Sequence, residues 1–204
     1  MLFSSNIFIF IFLPAVLFFY YVPLRKNRTA QNVFLLLASL FFYAWGEPRF
    51  VLVMMLSIAV NWLGGLAADR FREDPVKSKA AIAFIVFFNL LILFIFKYLT
   101  FTLTNLKMLG LNSINVPIIE LPIGISFFTF QAMSYVIDVY RKDGHVQKNI
   151  LNVGLYIAFF PQLIAGPIVR YSTVAKEIKD RKESFDDFSS GVVRFLIGLS
   201  KKSS

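Results

Sequence analysis

Residues 159–171 read FFPQLIAGPIVRY. The stretch is apolar enough for lipid, yet Pro161, Gln162, Gly166 and Pro167 interrupt it. Proline removes a backbone donor and glycine loosens a helix, while hydrocarbon offers no water to satisfy the freed carbonyls. Such a backbone is stable only when it is buried in protein or lines a wet cavity. The stretch is therefore expected to be a re-entrant or broken helix inside a larger helical membrane protein.

The composition agrees. Of 204 residues, 57% are hydrophobic and 16% charged, well below the roughly one quarter charged of a soluble domain. Apolar runs recur near residues 1–24, 29–46, 50–68, 80–96, 116–140 and 150–169. Each approaches the roughly 20 residues that cross a hydrocarbon core. An all-α, polytopic membrane protein is the expected class. No Lys or Arg precedes the first run and no small-residue cleavage site follows it, so it reads as a retained helix and not as a secretory signal. The absence of cysteine excludes a disulfide framework, Cys-ligated zinc and a thiol nucleophile. A single histidine leaves no metal site of the usual kind.

The net charge of +9 follows the spans. Arg25, Lys26 and Arg28 come after the first run, Arg70, Arg72, Lys77 and Lys79 after the third, and Arg141, Lys142 and Lys148 after the fifth. The intervening connections hold Arg49, then Lys97 and Lys107. By the positive-inside rule the three clusters are cytoplasmic and the N-terminus lies outside. The clusters alternate with spans instead of forming one continuous basic face, which argues against a nucleic-acid partner.

Within the spans, Asn61, Gly64 and Gly65 mark a close-packing face, because small residues let helices approach. Residues 97–116 mix loop-forming and apolar types, enough for an interfacial helix. In the fifth run, Gly124, Gln131, Tyr135 and Asp138 fall on one side of a helix. A polar side within a membrane faces protein or a water-filled path. Gln131, one turn from Tyr135, is in position to pair with its hydroxyl. Asp138 is one turn before Arg141 and Lys142, the spacing of a helix-end ion pair. A full crossing by residues 150–169 would leave Arg170, Lys176, Lys179, Arg181 and Lys182 outside, against the charge pattern, and a re-entrant element with its turn near residues 161–167 removes that conflict. Val174, Ile178, Phe185 and Phe188 then suit an interfacial helix over 171–188. Ser184 and Asp187 form a capping-box pattern for a following helix, whose apolar part, residues 188–199, is too short to span.

Four segments resemble the membrane-bound O-acyltransferase superfamily, in particular its bacterial branch of alginate O-acetyltransferases and the related D-alanyl transfer proteins of teichoic acid modification. They are Leu2-Phe3-Ser4-Ser5 with Leu13-Pro14, SLFFYAWG over residues 39–46, LPIGISFFTFQ over 121–131 continuing to Asp138-Val139-Tyr140-Arg141, and FFPQLIAGPIVR over 159–170. The last two are the most specific, and the resemblance runs through Gly198-Leu199-Ser200-Lys201-Lys202. It implies a partial fold of that family, with residues 1–204 as the N-terminal part of a single transmembrane domain. It also implies tilted helices around a thin central region, with a tunnel joining a cytoplasmic acyl-donor funnel to an outer acceptor site.

Members of the family are longer, and the catalytic histidine that the resemblance implies lies beyond residue 204. His145, in the loop Arg141-Lys142-Asp143-Gly144-His145, does not match it. No catalytic residue is therefore expected in this chain. Gln131, Tyr135, Pro161, Gln162, Gly166 and Pro167 are the expected tunnel-lining residues. The implied activity moves an acetyl group from cytoplasmic acetyl-CoA, with no bound cofactor, toward an exported polysaccharide such as alginate. It would run in the bacterial inner membrane with exopolysaccharide acetylation proteins as partners. Alternative readings are a catalytically inert fragment or assembly subunit and, less favoured because a solute or ion site calls for charged residues deep in the spans and the chain has few, a transporter.

Overall fold

The structure, a computed structural model, describes residues 5–109, 120–165 and 169–203. Its centre is α3 (Val51–Arg70), whose buried residues are Met54, Ser57, Ile58, Asn61, Gly64, Gly65 and Ala68 while Leu52, Met55, Leu56 and Leu63 are exposed. The next helix, α4 (Pro75–Lys97), likewise buries Ser78 and Asn89 among Ile85, Ile92 and Leu93 and exposes Phe84, Phe87 and Leu90. Polar and small residues lie inside among apolar ones while large apolar side chains cover the outside, where a water-soluble bundle would be polar. This is the arrangement a bilayer favours, where helices associate through close packing and hydrogen bonds. Together with α2 (Arg28–Gly46), these are three helices long and apolar enough to cross a membrane.

Two devices join α3 to its neighbours. The amides of Asn61 and Asn89 bond reciprocally at 3.0 and 2.9 Å, and each donates its second N–H to a carbonyl one turn back, Ser57 and Ile85. Both side chains are thereby fully paired without water. Gly64 lies against the Ile85 side chain and Gly65 against the Tyr135 hydroxyl of α6 (Ile125–Arg141), so closely that a Cβ at either position would fall under 3 Å from its neighbour. The close-packing face expected around Asn61, Gly64 and Gly65 is present.

The remaining helices have local causes. Asn27, Asp74 and Asn149 cap α2, α4 and α7 (Ile150–Ala158) by accepting from Ala30, from Val76 and Lys77, and from Leu151. Gly124, at φ +75°, provides the left-handed turn that starts α6. The chain opens with a π-helical turn, Phe8–Phe12, running into α1 (Leu13–Tyr21). A short helix, α5 (Leu99–Met108), follows α4 with no buried residue. Among the described residues all regular structure is helical.

Contacts fix the layout of the ends. Asn32 near the start of α2 bonds Asn152 near the start of α7, and Trp62 of α3 donates to Gln147 and Lys148 in the α6–α7 loop. The α1–α2 turn, the last turns of α3 and the α6–α7 loop therefore share one end of the bundle, and with them the three basic clusters.

From that end α7 rises to Phe159, where the helix breaks at ψ 112°, and resumes as α8 (Phe160–Ala165). Leu163 of α8 reaches Gly124 at the start of α6, the opposite end of that helix. The chain is back at the basic end by Tyr171, which packs on Gly144. The broken, returning element expected from residues 159–171 is thus present. The helix is interrupted at Phe159, so that Pro161, lacking an N–H, sits in the first turn of α8 where no intrahelical donor is needed, and the chain reverses between Leu163 and Tyr171; of the residues near which the turn was expected, 166 and 167 lie outside the described residues. The Phe160 N–H freed by the break donates to Ser39 Oγ of α2 at 3.2 Å, and its ring packs with Phe8, Phe12 and Phe42.

The single helix expected over residues 171–188 is two. In α9 (Tyr171–Asp180), Tyr171, Val174 and Ile178 face the protein core, and α10 (Phe185–Ser203) begins after an extended link of residues 181–184. Ser184 does cap α10, accepting from Asp187 N–H at 3.1 Å and donating to its carboxylate at 2.6 Å.

Replacing Asn89 by Leu strands part of the Asn61 amide and is expected to destabilise the protein by about 1–2 kcal/mol. The double variant Asn61→Leu, Asn89→Leu removes both partners and recovers part of that loss. Unfolding in detergent measures the cycle, and additive single effects would refute the coupling.

Candidate functional site at the broken helix

The expected polar side of α6 is wholly internal. Gln131 is 1% exposed, Tyr135 0% and Asp138 5%. Their partners differ from those the helix spacing suggests. Tyr135 hydroxyl accepts from the Gln147 backbone N–H at 3.2 Å instead of pairing with Gln131, because the α6–α7 loop folds back over it. Asp138 turns away from Arg141 and Lys142 and accepts from Ser172 N–H at 3.1 Å, while its backbone carbonyl receives Asp143 and Gly144. A carboxylate in the first turn of α9 meets unpaired donors and the positive end of the helix dipole. This contact ties the end of α6 to the point where the broken element returns.

Around that point three tyrosines form an edge-to-face series. The Tyr171 ring lies 4.8 Å from Tyr135 and 5.3 Å from Tyr156, and Tyr156 hydroxyl donates to Val169 carbonyl at 2.7 Å. In contrast, both polar atoms of the Gln131 side chain are buried without a hydrogen-bond partner, as are Thr129 Oγ1 and Tyr43 hydroxyl.

The other expected lining residues separate. Pro161 is exposed. Gln162 borders a cavity of about 140 Å³ between α2, α7, α8 and α9, walled by Leu35, Leu155, Phe159 and Ile178, with Arg181 also on its wall. Neither Gln131 nor Tyr135 lines it. Gly166 and Pro167 lie outside the described residues. A second, more open hollow of about 350 Å³ lies at the start of α6, between Lys97, Pro122 and Phe127. His145 is exposed in the α6–α7 loop, and no group of three His, Asp or Glu side chains able to hold a metal occurs among the described residues.

A polar knot at the basic end escaped the sequence reading. Arg28 pairs with Glu183 at 2.5 Å and donates to Arg181 carbonyl at 2.6 Å. Arg181 donates to Tyr20 hydroxyl at 2.6 Å and to Asn32 at 2.8 Å, and Tyr20 hydroxyl in turn donates to Glu183. Burial works against the Glu183 carboxylate, but hydrogen bonds from Tyr20 and Arg28 and the two guanidinium charges together hold its pKa below the ordinary value. These residues are some 150 positions apart in pairs, and no local pattern joins them.

An all-α membrane bundle with a returning broken helix, three basic ends together and no metal cluster among its described residues is the architecture on which the comparisons bear. The chain is homologous, over nearly its whole length, to the alginate O-acetylase branch of the membrane-bound O-acyltransferase family. It is 38% identical over 99% of its length to the protein named "Probable alginate O-acetylase AlgI" of Pseudomonas syringae pv. tomato and 37% to that of Pseudomonas aeruginosa, covering 39% of each relative. A peptidoglycan O-acetyltransferase of Helicobacter pylori is 30% identical over 99% of this chain, 44% of that relative. The chain therefore spans about two fifths of the length of these curated relatives. No family model matches it, and no solved structure does.

Two outcomes test this geometry. An unpaired buried amide costs about 1–3 kcal/mol, so Gln131→Met is expected to raise the melting temperature in detergent; a fall would reveal a partner for the amide. Glu183 has a folded-state pKa below its unfolded value of 4.5. Its stabilisation is complete above that unfolded value and is lost as pH falls through the lower folded one. The difference in melting temperature between the wild type and Glu183→Gln should therefore shrink on acidification from neutral pH to below 4.5, and a constant difference would refute the assignment.

Proposed function

We propose that residues 1–204 are the N-terminal part of a single transmembrane domain of a membrane O-acyltransferase, one that moves acetyl from cytoplasmic acetyl-CoA toward an exported polysaccharide such as alginate. The observation that carries the reading is the homology to alginate O-acetylases across 99% of the chain. In this reading the protein lies in the bacterial inner membrane with its N-terminus outside. The three basic clusters at one end, with α9 crossing that end from Asp138 to Asn32, support a cytoplasmic assignment for it. Proteins that acetylate exopolysaccharide are its partners.

Acetyl transfer to a hydroxyl needs a base near neutral pH and a donor set for the thioester oxyanion. His145 is exposed in a loop, so in our reading the base comes from outside these residues. The present chain contributes the path. Gln131, Tyr135, Pro161, Gln162, Gly166 and Pro167 are its proposed lining. The unpaired Gln131 amide and the position of Gln162 on the cavity support two of the six.

Membranes carrying the chain, with and without a histidine-bearing remainder supplied from the Pseudomonas syringae relative, provide the test with radiolabelled acetyl-CoA. Label is expected in polysaccharide only when both parts are present. Labelling by the chain alone would place the base within these residues, and no labelling in either case would remove the acetyltransferase reading.

A further inference from the structure

The most conspicuous surface not used above is α10. Phe185, Val192, Val193, Leu196 and Ile197 are 83, 38, 52, 55 and 51% exposed. At 100° per residue they fall within an arc of about 140°. An adjoining edge of the helix is occupied. Phe188 packs edge-to-face on Tyr21 at 5.4 Å, and Phe195 packs against the cluster of Phe8, Val16, Phe42 and Phe160.

These contacts fix a direction. The link before α10 is clamped to the α1–α2 turn by Glu183, Arg28 and Tyr20. Phe188 then meets the end of α1, and Phe195 packs against a cluster that draws Phe8 and Val16 from the first helix, Phe42 from α2 and Phe160 from α8. Phe42 lies far along α2 from the basic end and Phe160 lies just past the break, so from Phe188 to Phe195 the helix runs from the basic end toward the interior of the bundle. A helix lying flat beneath the bundle, as α9 does, would meet only the last turn of α1. The 19 residues of α10 rise about 28 Å at 1.5 Å each, enough for a helix that leaves the basic end to reach well into the height of the bundle.

We infer that α10 is embedded in the bilayer alongside the first helix and that its bare apolar arc contacts lipid acyl chains. The occupant follows from continuity. The outward side of the neighbouring first helix, with Phe10, Ile11, Phe18 and Phe19 at 49–74% exposure, is equally apolar, and together the two form one broad surface that water would not tolerate. The polar strip of α10, Asp187, Ser190, Arg194 and Lys201, lies to the other side of the arc and stays clear of the acyl chains. Asp186, Ser189 and Ser200 also fall within the arc: Asp186 lies in the first turn and Ser189 one turn on, near the clamped link where the headgroups are, and the Ser200 hydroxyl donates to the Ile197 carbonyl of its own helix.

The chain has no cysteine, so single-cysteine variants need no background correction. Phe185→Cys, Val193→Cys and Ile197→Cys, each carrying an environment-sensitive fluorophore, are to be measured in proteoliposomes containing lipids spin-labelled at different chain depths. Quenching by lipid is expected at all three sites, with the optimum moving from shallow labels at 185 to deep labels at 197. A bismaleimide of short span should also join Phe188→Cys to Tyr21→Cys. Equal, shallow depth at the three sites would overturn the inference in favour of a flat interfacial helix. Ready reaction of all three with a membrane-impermeant maleimide would overturn it in favour of a solvated helix. Protection from both lipid and water would show a protein occupant and also overturn it. None of these results depends on acetyl transfer.

Discussion

Hydrocarbon supplies no hydrogen bonds, so any polar group within this bundle is paired by another part of the chain or is left paying the cost of isolation. The Asn61–Asn89 pair meets the demand completely, since all four N–H groups and both carbonyls have partners without water. It holds α3 to α4, while Gly64 and Gly65 bring Ile85 and Tyr135 close to the α3 backbone. Met54 and Ile58 of α3 and Ile85, Ile92 and Leu93 of α4 add apolar packing around this seam, while the large side chains that face outward contribute nothing to adhesion between the helices.

The same constraint shapes the broken element. The interrupted element leaves backbone groups without helical partners, and side chains supply two of them: Ser39 Oγ accepts from Phe160 N–H and the Tyr156 hydroxyl donates to the Val169 carbonyl. Asp138 does likewise for the first turn of α9. The element is held by side chains from α2, α6 and α7, so its irregular backbone depends on the whole bundle. Gln131, with Thr129 and Tyr43, lacks such an answer, and it alone of the three leaves both a donor and a separate acceptor atom without a partner. That contrast between satisfied and unsatisfied polar groups carries the path proposal.

Much of this architecture is legible in the sequence. Run length and composition locate the three long helices, and the Asn-Gly-Gly seam of α3 is recognisable from small residues in an apolar span. Charge alternation implies a returning element at residues 150–169, and the structure brings that segment back to the basic end. Less legible are the partners. Helix spacing pairs Gln131 with Tyr135 and Asp138 with Arg141, yet a loop amide takes the tyrosine and the start of α9 takes the carboxylate. Both competitors are distant in sequence and stronger, because a helix N-terminus and a buried N–H offer fixed donors where exposed basic side chains offer screened, mobile ones.

By itself, the sequence determined that this chain is an all-α membrane protein, where its apolar helices lie and which end of each is basic. Periodicity, length and charge act locally, and one bilayer imposes them on every segment. Only the tertiary structure decided where the broken helix bends, that residues 171–188 belong to two helices, and that Arg28, Arg181, Tyr20 and Glu183 form one knot. Those outcomes depend on which distant donors and acceptors meet in a medium without water, and no local pattern records that meeting.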